Sequence, residues 1–444
     1  MSKMKTITTN YEKQLFWKED TMDITSVEDC MHVFNVYPEV TGETMNGFGG
    51  AFTEASAHNY AKLGKENQKN VIEGYFGDTG LRYNLGRVTI HSCDFGLGNY
   101  TYIEEGDESL DTFSIEHDTK EILPMIQEAM QVSKNQISFL ASPWSPPAFM
   151  KTNQEMNHGG KLVKEYYQAW ANYFVEFIKA YQAAGIDISY VTVQNEPEAT
   201  QAWDSCLYSA KEEGDFVREY LGPTLEKAGL SHIRIFIWDH NKESVYDRAK
   251  ITLEDGNTKK YVSGIAVHWY TGDHFEAIDL VKKVYPEMDI YFTEGCVEYT
   301  RFADSGEVQK AEMYAHDMIG NFNAGLNGFI DWNLLLDEKG GPNHVGNYCA
   351  APMMCEGATD SLEKRLSYYY IGQFSRYIKP GAKRIYVTRY TDKVEAVGFL
   401  NPDGEKVIVL LNKTQGEVEV TLRDKGQGNY VKIAAHSIMT VLYN

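Results

Sequence analysis

Between about residues 47 and 377, eight short apolar runs alternate with segments of helical period, and few architectures accept that pattern. The runs are Gly47–Phe52, Tyr83–Ile90, Ile137–Pro143, Ser189–Gln194, Ile233–Trp238, Gly264–His268, Ile290–Thr293 and Gly328–Asp331. Strands that alternate with helices pair in parallel through right-handed crossovers. Such strands form either an open doubly wound sheet or a closed barrel. Polar residues recur at the C-terminal end of nearly every run, which is where barrel enzymes assemble their sites. The pattern therefore predicts an α/β fold, a (β/α)8 TIM barrel.

The clearest helical segment is Leu162–Ala184. Within it Val163, Tyr166, Tyr167, Trp170, Tyr173, Phe174, Phe177 and Tyr181 recur at three- and four-residue spacings and form one apolar stripe. Gly185 follows as a left-handed cap. Asp118 with Glu121 reads as a capping box that opens a helix running through Met130. After about residue 380 the pattern changes to strands: Arg384–Tyr390, Val394–Leu400, Lys406–Asn412, Glu417–Leu422 and Tyr430–Leu442. Turn clusters such as Asn401-Pro402-Asp403-Gly404 separate them. Leu15–Lys18 and His32–Val36 are strand-like and precede the barrel. Both chain ends are thus expected to form one fused side β-sandwich. Residues 1–44 supply its N-terminal strands, 45–379 the barrel, and 380–444 its C-terminal module.

The chain has 444 residues, 43% of them hydrophobic, which suffices for a barrel core and a small companion. Its formal net charge of −21 argues against nucleic acid and against an anionic membrane surface. Neutral sugars meet no such objection. The start, Met1-Ser2-Lys3-Met4-Lys5-Thr6, leads into no apolar leader segment, and no run reaches the length of a membrane span. Cys30, Cys93, Cys206, Cys296, Cys349 and Cys355 include no CxxC pair and read as reduced, buried thiols. A cytoplasmic protein is expected.

Two carboxylates stand out by position. Glu196 follows the fourth run in Val191-Thr-Val-Gln-Asn-Glu-Pro197, and Glu294 follows the seventh in Ile290-Tyr-Phe-Thr-Glu-Gly295. Three strands apart around a barrel of eight, they face each other across its mouth. Glycoside hydrolysis needs such a pair: one carboxyl protonates the leaving oxygen while the other attacks or stabilises the anomeric carbon. In a retaining enzyme they stand about 5–5.5 Å apart. At that range the charge on Glu294 is expected to keep Glu196 protonated. An Asn-Glu-Pro tripeptide alone is weak, arising by chance in about one chain in twenty of this length. Its place after a strand, with a second strand-end glutamate, is what carries weight. Among the competing carboxylates, Glu198 and Glu298 fit a surface role, Asp331 fits a structural hydrogen bond as well as a substrate contact, and Glu54 is a further candidate.

Other run ends add Arg87, Asp94, Trp144, Trp238, Asp239, His240, His268, Trp269, Tyr270, Trp332 and Asn333. Taken singly, such aromatics pack cores. Gathered at one rim with Asp, Asn, His and Arg, they suit a sugar, which offers apolar C–H faces and a ring of hydroxyls. Arg87, deep in the barrel, is expected to orient a carboxylate such as Glu294. His240 and His268 raise a metal site, but HxH and HExxH spacings are absent and no metal or cofactor is expected.

With these residues in view, the chain resembles glycoside hydrolase family 30, in particular its glucosylceramidase-like branch. The matching stretches include Gly47-Phe-Gly-Gly-Ala-Phe-Thr-Glu54, Ser142-Pro-Trp-Ser-Pro-Pro147, Gln194-Asn-Glu-Pro197, Gly264-Ile-Ala-Val-His-Trp-Tyr270, Thr293-Glu-Gly-Cys296 and Asp331-Trp-Asn-Leu334. The resemblance implies a barrel with a fused β-sandwich and a retaining double displacement without cofactor. It implies Glu196 as acid/base and Glu294 as nucleophile. It also implies that Asp94, Trp144, Asn195, His268, Tyr270 and Trp332 surround the sugar, that Asn195 bonds its 2-hydroxyl, and that Trp203 borders the leaving group. The expected substrate is a small soluble β-glucoside or similar β-linked saccharide. A β-xylosidase or endo-β-1,6-glucanase of the same fold stands beside it. From other classes stand a non-catalytic carbohydrate-binding barrel and a metal-assisted lyase.

Overall fold

The computed structural model describes residues 3–23, 31–134 and 136–444. Eight parallel strands close into a barrel: β1 Gly47–Phe52, β2 Leu85–Ile90, β3 Ser138–Pro143, β4 Ile188–Thr192, β5 Arg234–Asn241, β6 Val262–His268, β7 Asp289–Glu294 and β8 Gly328–Asn333. Each successive strand pairs with the one before it, and β8 pairs with β1. The closure depends on close approach at β1. A Cβ added at Gly49 would lie 2.2 Å from the Leu85 carbonyl oxygen, so only glycine fits there.

Period-two alternation divides the barrel interior into layers. Leu85, Leu140, Phe236, Ala266, Tyr291 and Ile330 form an apolar cluster inside the barrel, with Tyr190 packed against it. Two residues further along the strands stand Arg87, Ser142, Thr192, His268, Thr293 and Trp332, mostly polar and all buried. The lower layer plugs the barrel, and the upper one is the floor of its C-terminal mouth.

β5 departs from this count. Alternation alone would send Trp238 inward after Phe236. Instead the β5–β6 register shifts between Trp238 and His240, and Trp238 and Asp239 both take left-handed backbone angles, with φ of 75° and 51°. The bulge sends Trp238 outward, where it joins the apolar layer between strands and helices, and aims Asp239 at the barrel axis.

The longest apolar stripe forms the helix Tyr167–Ala183 with a preceding 3-10 turn at Lys164–Tyr166. Trp170, Tyr173, Phe174, Phe177 and Tyr181 are buried on its inner face. Gly185 ends it at φ 83°, its N–H donating to Gln182 while that of Ile186 reaches Tyr181, the Schellman pattern. The expected capping box at Asp118 is not formed. The helix there is Ile122–Val132, begins after Glu121 and has no side-chain cap. Asp118 is instead fully buried, and the hydroxyls of Tyr100, Tyr102 and Tyr181 donate to it at 2.9, 2.6 and 2.7 Å.

Both chain ends enter one nine-stranded sheet, as expected. Its order is Leu15–Asp23, Lys3–Asn10, Ser437–Tyr443, Lys406–Asn412, Val394–Leu400, Lys383–Tyr390, Val33–Thr44, Val418–Asp424 and Gln427–Ile433. In Lys406–Asn412, Ile408 and Leu410 pack into the sandwich core while Val407, Val409 and Leu411 join the barrel's outer core. That two-sided burial fuses the domains. The segment read as one strand over 430–442 is two, Gln427–Ile433 and Ser437–Tyr443, broken at left-handed His436. Continuous apolar character hides the break. The five cysteines among the described residues are free and buried; Cys30 lies outside them.

Candidate active site

Arg87 organises the upper layer. It is fully buried on β2, where Nη1 donates to Glu294 Oε2 at 2.6 Å and Nη2 to both Asn195 Oδ1 and Asp239 Oδ2 at 2.8 Å. Its guanidinium lies 4.7 Å from the Trp144 ring centroid and 5.3 Å from that of Trp332. A buried cation with an anion on each arm and an indole on its face is fully compensated. Arg87 is thus in direct contact with Glu294.

Glu294 ends β7 and turns its other oxygen to Tyr270, whose hydroxyl donates to Oε1 at 2.9 Å. Glu196 stands past the end of β4 in a left-handed conformation, φ 46°, with its N–H on the Asp239 carbonyl at 2.9 Å. Left-handed non-glycine residues cost of order 1–3 kcal/mol each and gather at functional sites. Here Glu196, Trp238 and Asp239 share the feature. His268, on β6, lies behind Glu196: Nδ1 is 3.1 Å from Glu196 Oε1 and Nε2 is 3.0 Å from Asp239 Oδ1. Both ring nitrogens are therefore taken up by protein groups, and the ring is fully buried.

The two glutamates line one cavity of about 150 Å³ at the barrel mouth, with Asp94, Trp144, Asn195, Trp203, Tyr270 and Trp332 also on its wall. Trp144 and Trp332 stack at 5.3 Å and 24°. Asp94 accepts from Asn343 Nδ2 at 3.0 Å and Asn347 Nδ2 at 3.4 Å. Burial, reinforced by the charge of Glu294, pushes the Asp94 carboxyl up to about 8. Trp203 is half-buried on the outer wall.

Burial raises both glutamates. At Glu196 the His268 hydrogen bond and the charges of His240 and His268 outweigh it, and the net direction is down. At Glu294 burial prevails over His268 and Arg87, helped by the charge of Glu196, and the net direction is up. This order is the reverse of the one expected from the pair alone. Burial sets the direction at Glu294, whereas His268 and His240 set it at Glu196. The pKa of His268 is itself raised to about 9: burial lowers it, but Glu294, Asp239 and Glu196 outweigh that. The lowered Glu196 and the raised His268 both favour the ring as the protonated partner of the contact between Nδ1 and Oε1.

Glu196, His240 and His268 could each offer one ligand atom to a metal within 4.8 Å of the others. A metal there would have to break the contact of His268 with Glu196 or with Asp239, so the donor set suits a proton better than a cation.

Residues 45–378 match the model of the glycosyl hydrolase family 30 TIM-barrel domain, and residues 381–441 that of the family 30 beta sandwich domain. The chain belongs to glycosyl hydrolase family 30. It is 34% identical over 430 residues to lysosomal acid glucosylceramidase of Mus musculus, spanning 93% of this chain and 83% of the relative. The crystal structure of SrfJ from Salmonella typhimurium superposes with a TM-score of 0.96 at 38% identity, covering 100% of this chain and 99% of that one. The endo-β1,6-glucanase BT3312 superposes at 0.89 with 28% identity, covering 100% and 99%.

In this family 30 glycoside hydrolase the cavity wall also carries residues that reading the sequence passed over. Glu298, expected at the surface, lines the cavity with Gln201, Asn241, Cys296 and Asn347. Asn241 also accepts from the Tyr270 N–H at 2.9 Å. Strand-end position singled out Asp239, but only the bulge shows where it points. Conversely, several rim candidates are structural. Asn333 accepts from Thr53 at 2.6 Å, Asp331 from Tyr314 at 3.1 Å, and Trp238 donates to the Asn241 carbonyl at 2.9 Å. Glu54 pairs with His117 at 2.6 Å, and Glu198 pairs at the surface with Arg248 at 3.0 Å.

Proposed function

We propose that this hydrolase is a retaining β-glycosidase acting on a soluble β-glucoside by double displacement, with Glu294 as nucleophile and Glu196 as acid/base. The observation that carries the reading is one cavity bounded by two strand-end glutamates with different supports. Glu294 is held by a permanent cation and a tyrosine hydroxyl, which suits a carboxylate. Glu196 shares a proton with a histidine, which suits an acid that must give a proton and take one back. In the first step Glu294 bonds to the anomeric carbon as the C–O bond breaks, and the leaving oxygen takes its proton through Glu196 Oε1. In the second, Glu196 takes a proton from water, the water oxygen bonds to that carbon, and Glu294 departs as a carboxylate. In this reading Asn195, held by Arg87 at 2.8 Å, bonds the sugar 2-hydroxyl.

A cavity this narrow suits one sugar ring at the cleavage point. Glucose is favoured there because the mouse relative is named a glucosylceramidase and the structural neighbour a β1,6-glucanase. On the outer wall Gln201, Trp203, Asn241 and Glu298 offer one ring face among polar groups, which fits a sugar leaving group better than a lipid. The net charge of −21 points the same way. An endo-β1,6-glucanase is the second reading, supported by the BT3312 likeness.

The test is a panel of nitrophenyl β-glycosides with the first-formed anomer followed by NMR. The β-glucoside should be cleaved fastest and release β-glucose. Release of the α-anomer, or no turnover of any β-glycoside, removes the reading.

A further inference from the structure

We propose that Asp239 is the positioning residue that decides where the catalytic proton rests, because its one carboxylate anchors the supports of both glutamates. The inference rests on the double-displacement reading above. Oδ2 accepts from Arg87 Nη2 at 2.8 Å, Thr192 Oγ1 at 2.7 Å and Ser142 Oγ at 3.0 Å. Oδ1 accepts from Thr293 Oγ1 at 2.6 Å and faces His268 Nε2 at 3.0 Å. Arg87 carries the contact on to Glu294 at 2.6 Å, and His268 to Glu196 at 3.1 Å. Both glutamates are thus one residue removed from the same buried anion.

A carboxylate surrounded by that many donors has no room for a proton of its own. Burial favours the neutral form, yet Arg87, His268 and Thr293 hold it well below the carboxylate range. His268 Nε2 must then carry hydrogen, and Nδ1 meets Glu196 across a contact that needs one proton. With that proton on Nδ1, the ring is a cation between two anions. With it on Oε1, the ring is neutral and Glu196 is the acid. Asp239 stabilises the first form, so it stores the proton within one hydrogen bond of the atom that delivers it. When the leaving oxygen takes the proton from Oε1, Glu196 becomes a carboxylate; the attacking water returns a proton to it.

The backbone bulge supports a dedicated role. Two adjacent left-handed residues are held in β5, and their effect is to bring Asp239 rather than Trp238 to the axis. The charged and titratable groups facing the Glu196–His268 contact are Arg87 on β2, Asp239 and His240 on β5, Tyr270 after β6, Glu294 on β7 and Glu298 beyond it. Glu198 and Glu243 lie farther out, beside His240.

The experiment is the pH profile of kcat/KM for the wild type, Asp239→Asn and Thr293→Val, with phenyl and 2,4-dinitrophenyl β-glucosides. In Asp239→Asn the basic limb should move down by about one pH unit or more, because the cationic ring loses its counter-ion. The loss in kcat should be roughly tenfold larger for the phenyl glucoside, whose departure needs the proton. Thr293→Val should move the same limb upward, since removing a donor strengthens the hold of Asp239 on the ring proton. An unmoved basic limb, or equal losses on both substrates, overturns the proposal. If Asp239→Asn does not fold, Thr293→Val decides: a limb that stays or falls overturns it. The double-displacement reading fails separately, on the anomer released by the wild type.

Discussion

Replacing Glu294 with Gly is expected to lower kcat on an aryl β-glucoside by on the order of 10⁴-fold or more. In the proposed double displacement the loss follows from removing the atom that bonds to the anomeric carbon. The fold should survive, because Arg87 keeps Asp239 as a counter-ion and no buried cation is left unpaired. Sodium azide should then restore turnover. Azide enters from the face that Glu294 vacated, so the product is the α-glucosyl azide, inverted relative to the substrate. Circular dichroism separates loss of chemistry from loss of fold. Turnover close to the wild type in this variant removes Glu294 from the reaction.

The second large effect is at Arg87. Arg87→Met removes the guanidinium that bridges the buried carboxylates of Asp239 and Glu294. Removing one partner of a buried pair costs roughly 3–5 kcal/mol, read as a lower urea midpoint at neutral pH. The pH dependence has a definite sign. Arg87 holds Asp239 below its unfolded value, so this stabilisation is present above about pH 4 and is lost as pH falls below it. The gap between wild type and variant should therefore narrow in acid. Glu294 also loses a group that lowers its pKa, so the acidic limb of kcat/KM should move up. A stability loss with an unmoved acidic limb would leave Arg87 a packing residue only.

Much of this architecture is legible in the chain, and the reasons are physical. Strand period and helix period differ, so alternation of the two is readable, and it locates all eight barrel strands within a few residues. Strand-end position then singles out Glu196 and Glu294, because a barrel gathers strand ends at one mouth. What escapes is anything set by a local break in period. The bulge at Trp238 and Asp239 leaves no mark in residue type, so counting by two aims the wrong side chain inward. The resemblance sets His268 around the sugar, and spacing along the chain does not show that its depth gives each ring nitrogen a protein partner. Asp118 with Glu121 matches a cap pattern, but three distant tyrosines claim the carboxylate, and spacing along the chain carries no information about them. Glu298 reads as a surface residue because it sits beyond a strand, whereas the short pairing of Val297–Glu298 with Cys349–Ala350 folds it back over the cavity.

The proposed double displacement gives the two glutamates separate tasks, one bonding to carbon and one moving a proton, and that division can be tested directly. Incubation with 2,4-dinitrophenyl 2-deoxy-2-fluoro-β-glucoside should slow both steps while the good leaving group keeps the first one running. A covalent glycosyl-enzyme should then accumulate, and intact mass should rise by one fluoroglucosyl group. Proteolysis and mass spectrometry should place that group on the peptide carrying Glu294 and on its side chain. A label on Glu196 or another residue, or prompt turnover with no label at any time, contradicts the assignment.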